Sequence, residues 1–300
     1  MKNIEIKGVI VPLLTPMNDD ETINEKELRN QVNRQIESEI HALFPLGTNG
    51  EAYILSREEK EQVLKIVVDE AKGRVPVYGG TGCISTKETI ELSLKAKEIG
   101  VDVLSIITPS FAAASQDELY EHYKEVAKAV DLPIVLYNIP ARTGNALAPA
   151  TVEKLSKIPN IVGVKDSSGN FDNMLQYIEK TRYRKDFAVL SGNDSLILWC
   201  LLAGGRGGIA GCANVFPSTM ASIYDTFIAG NLDKAREIQD SIRSFRDCFK
   251  FGNPNTIVKT AVSLLGYPVG KCRKPFCQVP EAGIEAIKKV LEENTAKGMK

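Results

Sequence analysis

Residues 101–138, "VDVLSIITPSFAAASQDELYEHYKEVAKAVDLPIVLYN", hold the reading on which the fold turns. The apolar run "VDVLSII" (101–107) breaks into the polar "TPSF" (108–111), and an amphipathic stretch follows that opens on Ser115 and carries Glu118 three residues later. A second apolar run, "LPIVLYN" (132–138), closes the unit. Short runs rich in Val, Ile and Leu read as buried strands. Ser with Glu three positions on is a helix start, because the two side chains can satisfy backbone N–H groups that have no partner inside the helix. Strand, helix and strand in succession form the βαβ unit of a parallel sheet.

The same alternation continues on both sides. Further strands are predicted in "GVIVPLL" (8–14), "HALFPL" (41–46), "RVPVYGG" (74–80), "NIVGVK" (160–165), "FAVLSG" (187–192) and "GGIAG" (207–211), eight in all. Between them, Ser56 with Glu59 and Ser85 with Glu88 repeat the capping pattern, and Gly73 and Gly100 close those two helices. Eight unbroken strand–helix units favour a closed (β/α)8 TIM barrel, usually about 250 residues, over an open doubly wound sheet. Beyond about residue 230 only helical patterns remain. The expected architecture is therefore α/β: residues 1–230 a catalytic (β/α)8 barrel, and residues 231–300 a C-terminal helical extension packed on it.

Composition narrows the function. Lys and Arg (37) nearly balance Asp and Glu (38) and are scattered, which leaves no electrostatic footprint for nucleic acid or an anionic membrane. The six cysteines form no CxxC pair and the histidines are only His41 and His122, so a metal site is not expected. Free thiols suit a reducing compartment, and the apolar patch near the N-terminus is too short for a signal h-region or a membrane span, so the expected location is cytoplasmic.

In a (β/α)8 barrel, chemistry sits at the C-terminal ends of the strands. Lys165 ends the sixth, inside "GVKDSSG" (163–169), where the barrel's alternation can turn its side chain inward. A desolvated amine is a nucleophile for ketones, and the iminium it forms is an electron sink. The competing reading, a lysine paired with Asp166 or reaching to water, is the commoner one for an isolated strand-end lysine. Its neighbours shift the balance. Tyr137 ends the adjacent fifth strand and can move protons. "GTNGE" (47–51) offers backbone N–H groups at Thr48 and Asn49 for a carboxylate, and a Thr48 hydroxyl for a proton relay. Arg142, in the loop beyond Tyr137, is placed to meet an anionic second substrate. Ser167, Asp194 and Asn214 are polar strand-end residues that can read hydroxyls, and Gly192 and Ile209 complete the expected substrate-binding set.

"GTNGEAYILSREEK", "YNIPARTG", "GVKDSSG" and "SGND", in this order and spacing, resemble the dihydrodipicolinate synthase / N-acetylneuraminate lyase family of pyruvate-dependent class I aldolases. The resemblance runs from "GVIVPLLTP" to "CRKPF" (272–276). It implies a Schiff base of Lys165 with pyruvate, Tyr137 as catalytic tyrosine, Thr48 as its relay hydroxyl, residues 48 and 49 as the carboxylate site and Arg142 on the aldehyde side. It also implies no metal or organic cofactor, and a homotetramer built as a dimer of dimers. Three positions depart from the pattern. Ser110 and Phe111 replace a tyrosine pair whose second member crosses the dimer. Asn49 replaces a second Thr or Ser. Asp194 is followed by Ser195 where sialate lyases have an Asp-Glu pair. Aspartate semialdehyde, a 2-keto-3-deoxy sugar acid and, lower, sialate all stay open as substrates, as does a non-catalytic keto-acid-binding protein.

Overall fold

The computed structural model describes residues 4–300; residues 1–3, where the expected barrel region begins, lie outside the described residues. Eight strands form one parallel sheet: β1 (Gly8–Val11), β2 (Ala42–Leu43), β3 (Tyr78–Gly80), β4 (Val103–Ile107), β5 (Ile134–Asn138), β6 (Ile161–Asp166), β7 (Ala188–Ser191) and β8 (Gly207–Ile209). β1 pairs with both β2 and β8, and a bridge between Leu43 and Val77 joins β2 to β3, so the sheet closes on itself as a (β/α)8 barrel. Each predicted run overlaps one strand; β6 extends one residue past its run, to Asp166, and the other seven are shorter than theirs.

The barrel is wrapped by α1 (Glu25–Glu37), α2 (Arg57–Ala71), α3 (Thr86–Ile99), α4 (Gln116–Ala129), the short α5 (Pro140–Thr143), α6 (Pro149–Leu155), α7 (Phe171–Thr181), α8 (Ile197–Leu202) and α9 (Pro217–Ile228). Ser56 with Glu59 and Ser115 with Glu118 form reciprocal capping boxes on α2 and α4, each cap contributing about 1 kcal/mol. At α3 only half of the expected box forms: Ser85 accepts from the Glu88 N–H, but the Glu88 carboxylate takes the Ser85 hydroxyl in place of its N–H. Lys72 and Gly100 end α2 and α3 in the left-handed conformation.

The apolar surface divides into two cores. Inside the barrel lie Ile10, Phe44, Tyr78, Val135, Leu190 and Ile209, among others; a larger core fills the space between strands and helices. The strand register, with the one-residue stagger per strand that closes a barrel of this type, places Phe44, Ser105, Lys165 and Ile209 in a single interior layer. A lysine in that layer faces the axis.

Beyond the barrel run α10 (Leu232–Ser241), α11 (Arg243–Arg246), α12 (Pro254–Leu264) and α13 (Glu281–Ala296). α10 lies along α9 and α8, while α12 packs on the 3₁₀ turn Gly211–Asn214 and on α13. Asn214, expected among the hydroxyl-reading residues, ties the segment after β8 to the segment after β1 instead: its amide accepts from Leu14 N–H and donates to the Pro12 and Gly211 carbonyls.

Candidate active site

Lys165 and Tyr137 are register partners on neighbouring strands, so their side chains leave the sheet on the same face. Lys165, 4% exposed, holds its Nζ 3.7 Å from the centre of the Tyr137 ring and 5.3 Å from that of Phe44. Asp166 points to the opposite face, where its carboxylate accepts from the Asn138 and Asn173 amides and from Ser168. The Lys165–Asp166 ion pair does not form, because successive residues of a strand face opposite sides. Among the described residues no carboxylate lies within ion-pair distance of Lys165.

Tyr137 shares a 3.0 Å hydrogen bond with the Thr48 hydroxyl. Burial is the largest influence on its phenol and would raise the pKa. The Lys165 ammonium and hydrogen bonds from Thr48, Lys165 and Ser167 outweigh it, and the phenol sits below its ordinary value. Three strand ends thus join a buried amine, a phenol that yields its proton more readily than usual, and a hydroxyl in contact with it.

The "GTNGE" loop bends sharply after β2, with Leu46 and Glu51 both in the left-handed region. Gly50 allows it to lie against the barrel: a Cβ there would meet the Leu13 carbonyl at 2.9 Å. Among the described residues neither Thr48 N–H nor Asn49 N–H donates to a backbone carbonyl, so both are free for an anion. The Asn49 amide reaches toward Gly211 at the end of β8.

Thr48 and Tyr137 line a cavity of about 600 Å³ whose walls also include Phe44, Tyr53, Ser110 and Arg142. Arg142, on α5, makes no salt bridge among the described residues and reaches the cavity from the rim. Ser167 lies beside Tyr137 and Gly192, and a Cβ on Gly192 would stand 1.9 Å from Ser167 Oγ and 3.0 Å from Lys165 Cε. Only glycine leaves the lysine its room. Ile209 is fully buried in the Lys165 layer.

One expected substrate residue is placed elsewhere. Asp194 starts a 3₁₀ turn (Asp194–Leu196), accepts from the Cys212 N–H at 3.0 Å and pairs with Arg246 at 2.8 Å, so its carboxylate is committed to the protein and turned from the cavity. Phe111 also stays out of the pocket of its own chain: it is 98% exposed with a φ of 79°.

The structure adds residues that strand-end reasoning missed. Ser105 Oγ is buried with no hydrogen-bond partner among the described residues, and Ser105 lines the cavity. Asn253, Asn255 and Phe276, all from the C-terminal region, form part of its wall. Lys259 pairs with Glu51 at 2.7 Å, the two side chains only 1% and 0% exposed. A lysine inside the helix pattern "NPNTIVKTAVSLLG" is an apolar-face anomaly, and that was the only signal available for it.

A profile of the Dihydrodipicolinate synthetase family matches residues 5–294. The 4-hydroxy-tetrahydrodipicolinate synthase of Methanopyrus kandleri is 40% identical over 292 residues, 96% of either chain. Among solved structures, the dihydrodipicolinate synthase of Thermotoga maritima superposes with a TM-score of 0.94 at 31% identity, covering 97% of this chain and 99% of its own. That of Acinetobacter baumannii, determined with pyruvate bound, superposes with a TM-score of 0.93 at 34% identity and the same coverage.

Proposed function

The chain belongs to the dihydrodipicolinate synthetase family, and from that membership we propose that it is a class I aldolase of the synthase type, condensing pyruvate with aspartate semialdehyde through a Schiff base on Lys165. The observation that carries the residue assignment is the contact of Lys165 Nζ with Tyr137, whose hydroxyl in turn meets Thr48.

In this reading the neutral Lys165 amine attacks C2 of pyruvate, whose carboxylate lies on the Thr48 and Asn49 N–H groups. Tyr137 gives a proton to the carbinolamine hydroxyl, which leaves as water. The iminium withdraws electrons, C3 gives a proton to the Tyr137 phenolate left by the previous step, and the enamine forms. C3 then bonds to the aldehyde carbon while the aldehyde oxygen takes a proton relayed through Tyr137 and Thr48. Arg142 holds the semialdehyde carboxylate. The amine of the adduct attacks the imine carbon, closing a ring and expelling Lys165. The covalent imine is itself the electron sink, so the reading calls for no metal or organic cofactor. Ser167, Gly192 and Ile209 shape the pyruvate side.

Cleavage of sialate is less well supported, since Asp194, half of the acidic pair a sialate reader would need, is tied to Cys212 and Arg246, and cleavage of a 2-keto-3-deoxy sugar acid ranks below condensation because the similar 4-hydroxy-tetrahydrodipicolinate synthases favour the latter. The same reading keeps residues 1–230 as the barrel unit and 231–300 as its helical extension, places the protein in the cytoplasm, and assembles it as a dimer of dimers. No helix among the described residues is long and apolar enough to cross a membrane. An exposed phenyl ring at Phe111 suits a contact with a second copy.

Incubation with pyruvate and borohydride, followed by peptide mass mapping, tests the mechanism: a reduced adduct on Lys165 is expected, and its absence overturns the assignment. A lactate-dehydrogenase-coupled assay tests the substrate, with pyruvate consumed when aspartate semialdehyde is added and none released from sialate.

A further inference from the structure

The barrel's catalytic loop is fastened from outside by the C-terminal region. Asn255, at the start of α12, donates its amide N–H to the Thr48 carbonyl at 2.6 Å. Glu51, three residues on, accepts from Lys259 of the same helix at 2.7 Å and from the Arg273 N–H at 2.9 Å, and Lys259 also donates to the Lys271 carbonyl. The Arg273 guanidinium donates to the Ile54 carbonyl and to Glu59, which anchors the start of α2. The loop between β2 and α2 is thus held at Thr48, at Glu51 and at Ile54 by a segment more than two hundred residues away in sequence.

Of these contacts only Asn255 grips the relay residue itself. The Thr48 carbonyl belongs to the peptide unit whose nitrogen is the Asn49 N–H. One amide therefore orients both the anion-binding donor and, through the Thr48 Cα, the hydroxyl that meets Tyr137. A misplacement of about 1 Å at such a group is enough to lose much of its catalytic effect.

We propose that Asn255 is a positioning residue for the reaction, setting the Thr48–Asn49 peptide so that it binds the keto-acid carboxylate and so that the Thr48 hydroxyl reaches Tyr137. This rests on the Schiff-base reading above and extends the site into the C-terminal region. Asn255 lies in the first turn of α12, where a carboxylate is favoured by the helix dipole. Asn255→Asp therefore keeps the helix start while turning the donor into an acceptor that repels the Thr48 carbonyl.

The test measures the rate of Lys165–pyruvate imine formation by timed borohydride quenching across a range of pyruvate concentrations, with thermal melting alongside, for Asn255→Asp, Asn255→Ala, Thr48→Val and the double variant Thr48→Val/Asn255→Ala. Asn255→Asp is expected to melt below the wild type, its carboxylate being buried against the Thr48 carbonyl, and, at temperatures where it is fully folded, to trap pyruvate roughly tenfold less efficiently, through both a higher half-saturating pyruvate concentration and a lower maximal rate. Asn255→Ala should cost much less once Thr48 is already Val, because part of its effect passes through the hydroxyl. A folded Asn255→Asp protein that forms the imine at the wild-type rate overturns the proposal, as do losses for Thr48→Val and Asn255→Ala that simply multiply. If the wild type itself traps no pyruvate, the Schiff-base reading fails and these comparisons do not arise.

Discussion

At the scale of single residues, the site works by setting two groups against each other. Lys165 and Tyr137 are stacked in a space from which water is largely excluded, and the ammonium, with Thr48 and Ser167, pulls the phenol below its ordinary pKa against the opposing effect of burial. The sign of the pH dependence follows. Imine formation needs the phenol protonated when the carbinolamine hydroxyl leaves, so the rate should fall as pH rises through the lowered phenol pKa, earlier than a free tyrosine would allow. Thr48→Val removes one of the lowering hydrogen bonds and should move that alkaline limb to higher pH, while Tyr137→Phe should slow imine formation by roughly 10²- to 10⁴-fold and abolish the limb. Stopped-flow or quench measurements across pH check both. Lys165, Tyr137 and Thr48 were legible in the chain because each lies at or soon after the C-terminal end of a strand, and those ends share one mouth. Asp194 misled for the same reason: it also follows a strand, but the turn beginning there folds its carboxylate back onto Cys212 and Arg246. Sequence position alone does not say which way a turn carries its first side chain.

At the scale of elements, the capping signals translated into helices almost without loss, since a cap is made by residues three apart. The pairing of the β2–α2 loop with α12 was not legible. Glu51 is a turn residue by sequence and Lys259 one cation in an amphipathic pattern, yet they meet in the interior. A buried pair is weak evidence of net stability, because desolvation offsets most of the attraction, but losing one partner leaves the other charged and unpaired. Lys259→Met should therefore destabilise by about 3–5 kcal/mol in denaturant titration. Glu51→Gln/Lys259→Met should recover part of the loss, although the Arg273 N–H keeps its acceptor oxygen only in part.

At the scale of the whole molecule, the barrel closes through the seam between β2 and β3, where among the described residues a single bridge pairs the strands, and its mouth carries Phe111 almost wholly exposed in a backbone conformation that bulky residues seldom adopt. In the dimer of dimers proposed above, Phe111→Asp should shift the protein toward smaller species in sedimentation or light-scattering measurements, with the fold retained. An unchanged mass would place the contacts between copies elsewhere. What the chain determined by itself was everything set by local repetition: strand and helix order, closure into an eight-stranded barrel, and the side chains delivered to its mouth by the strand ends. What only the tertiary structure decided were the meetings that depend on contact between distant segments, namely Asn255 with Thr48, Lys259 with Glu51, and Arg246 with Asp194. The physical reason is the range of the forces. Hydrophobic periodicity and capping act within a few residues and leave their mark in spacing, whereas a hydrogen bond between residues two hundred apart requires nothing of the sequence between them except that it fold.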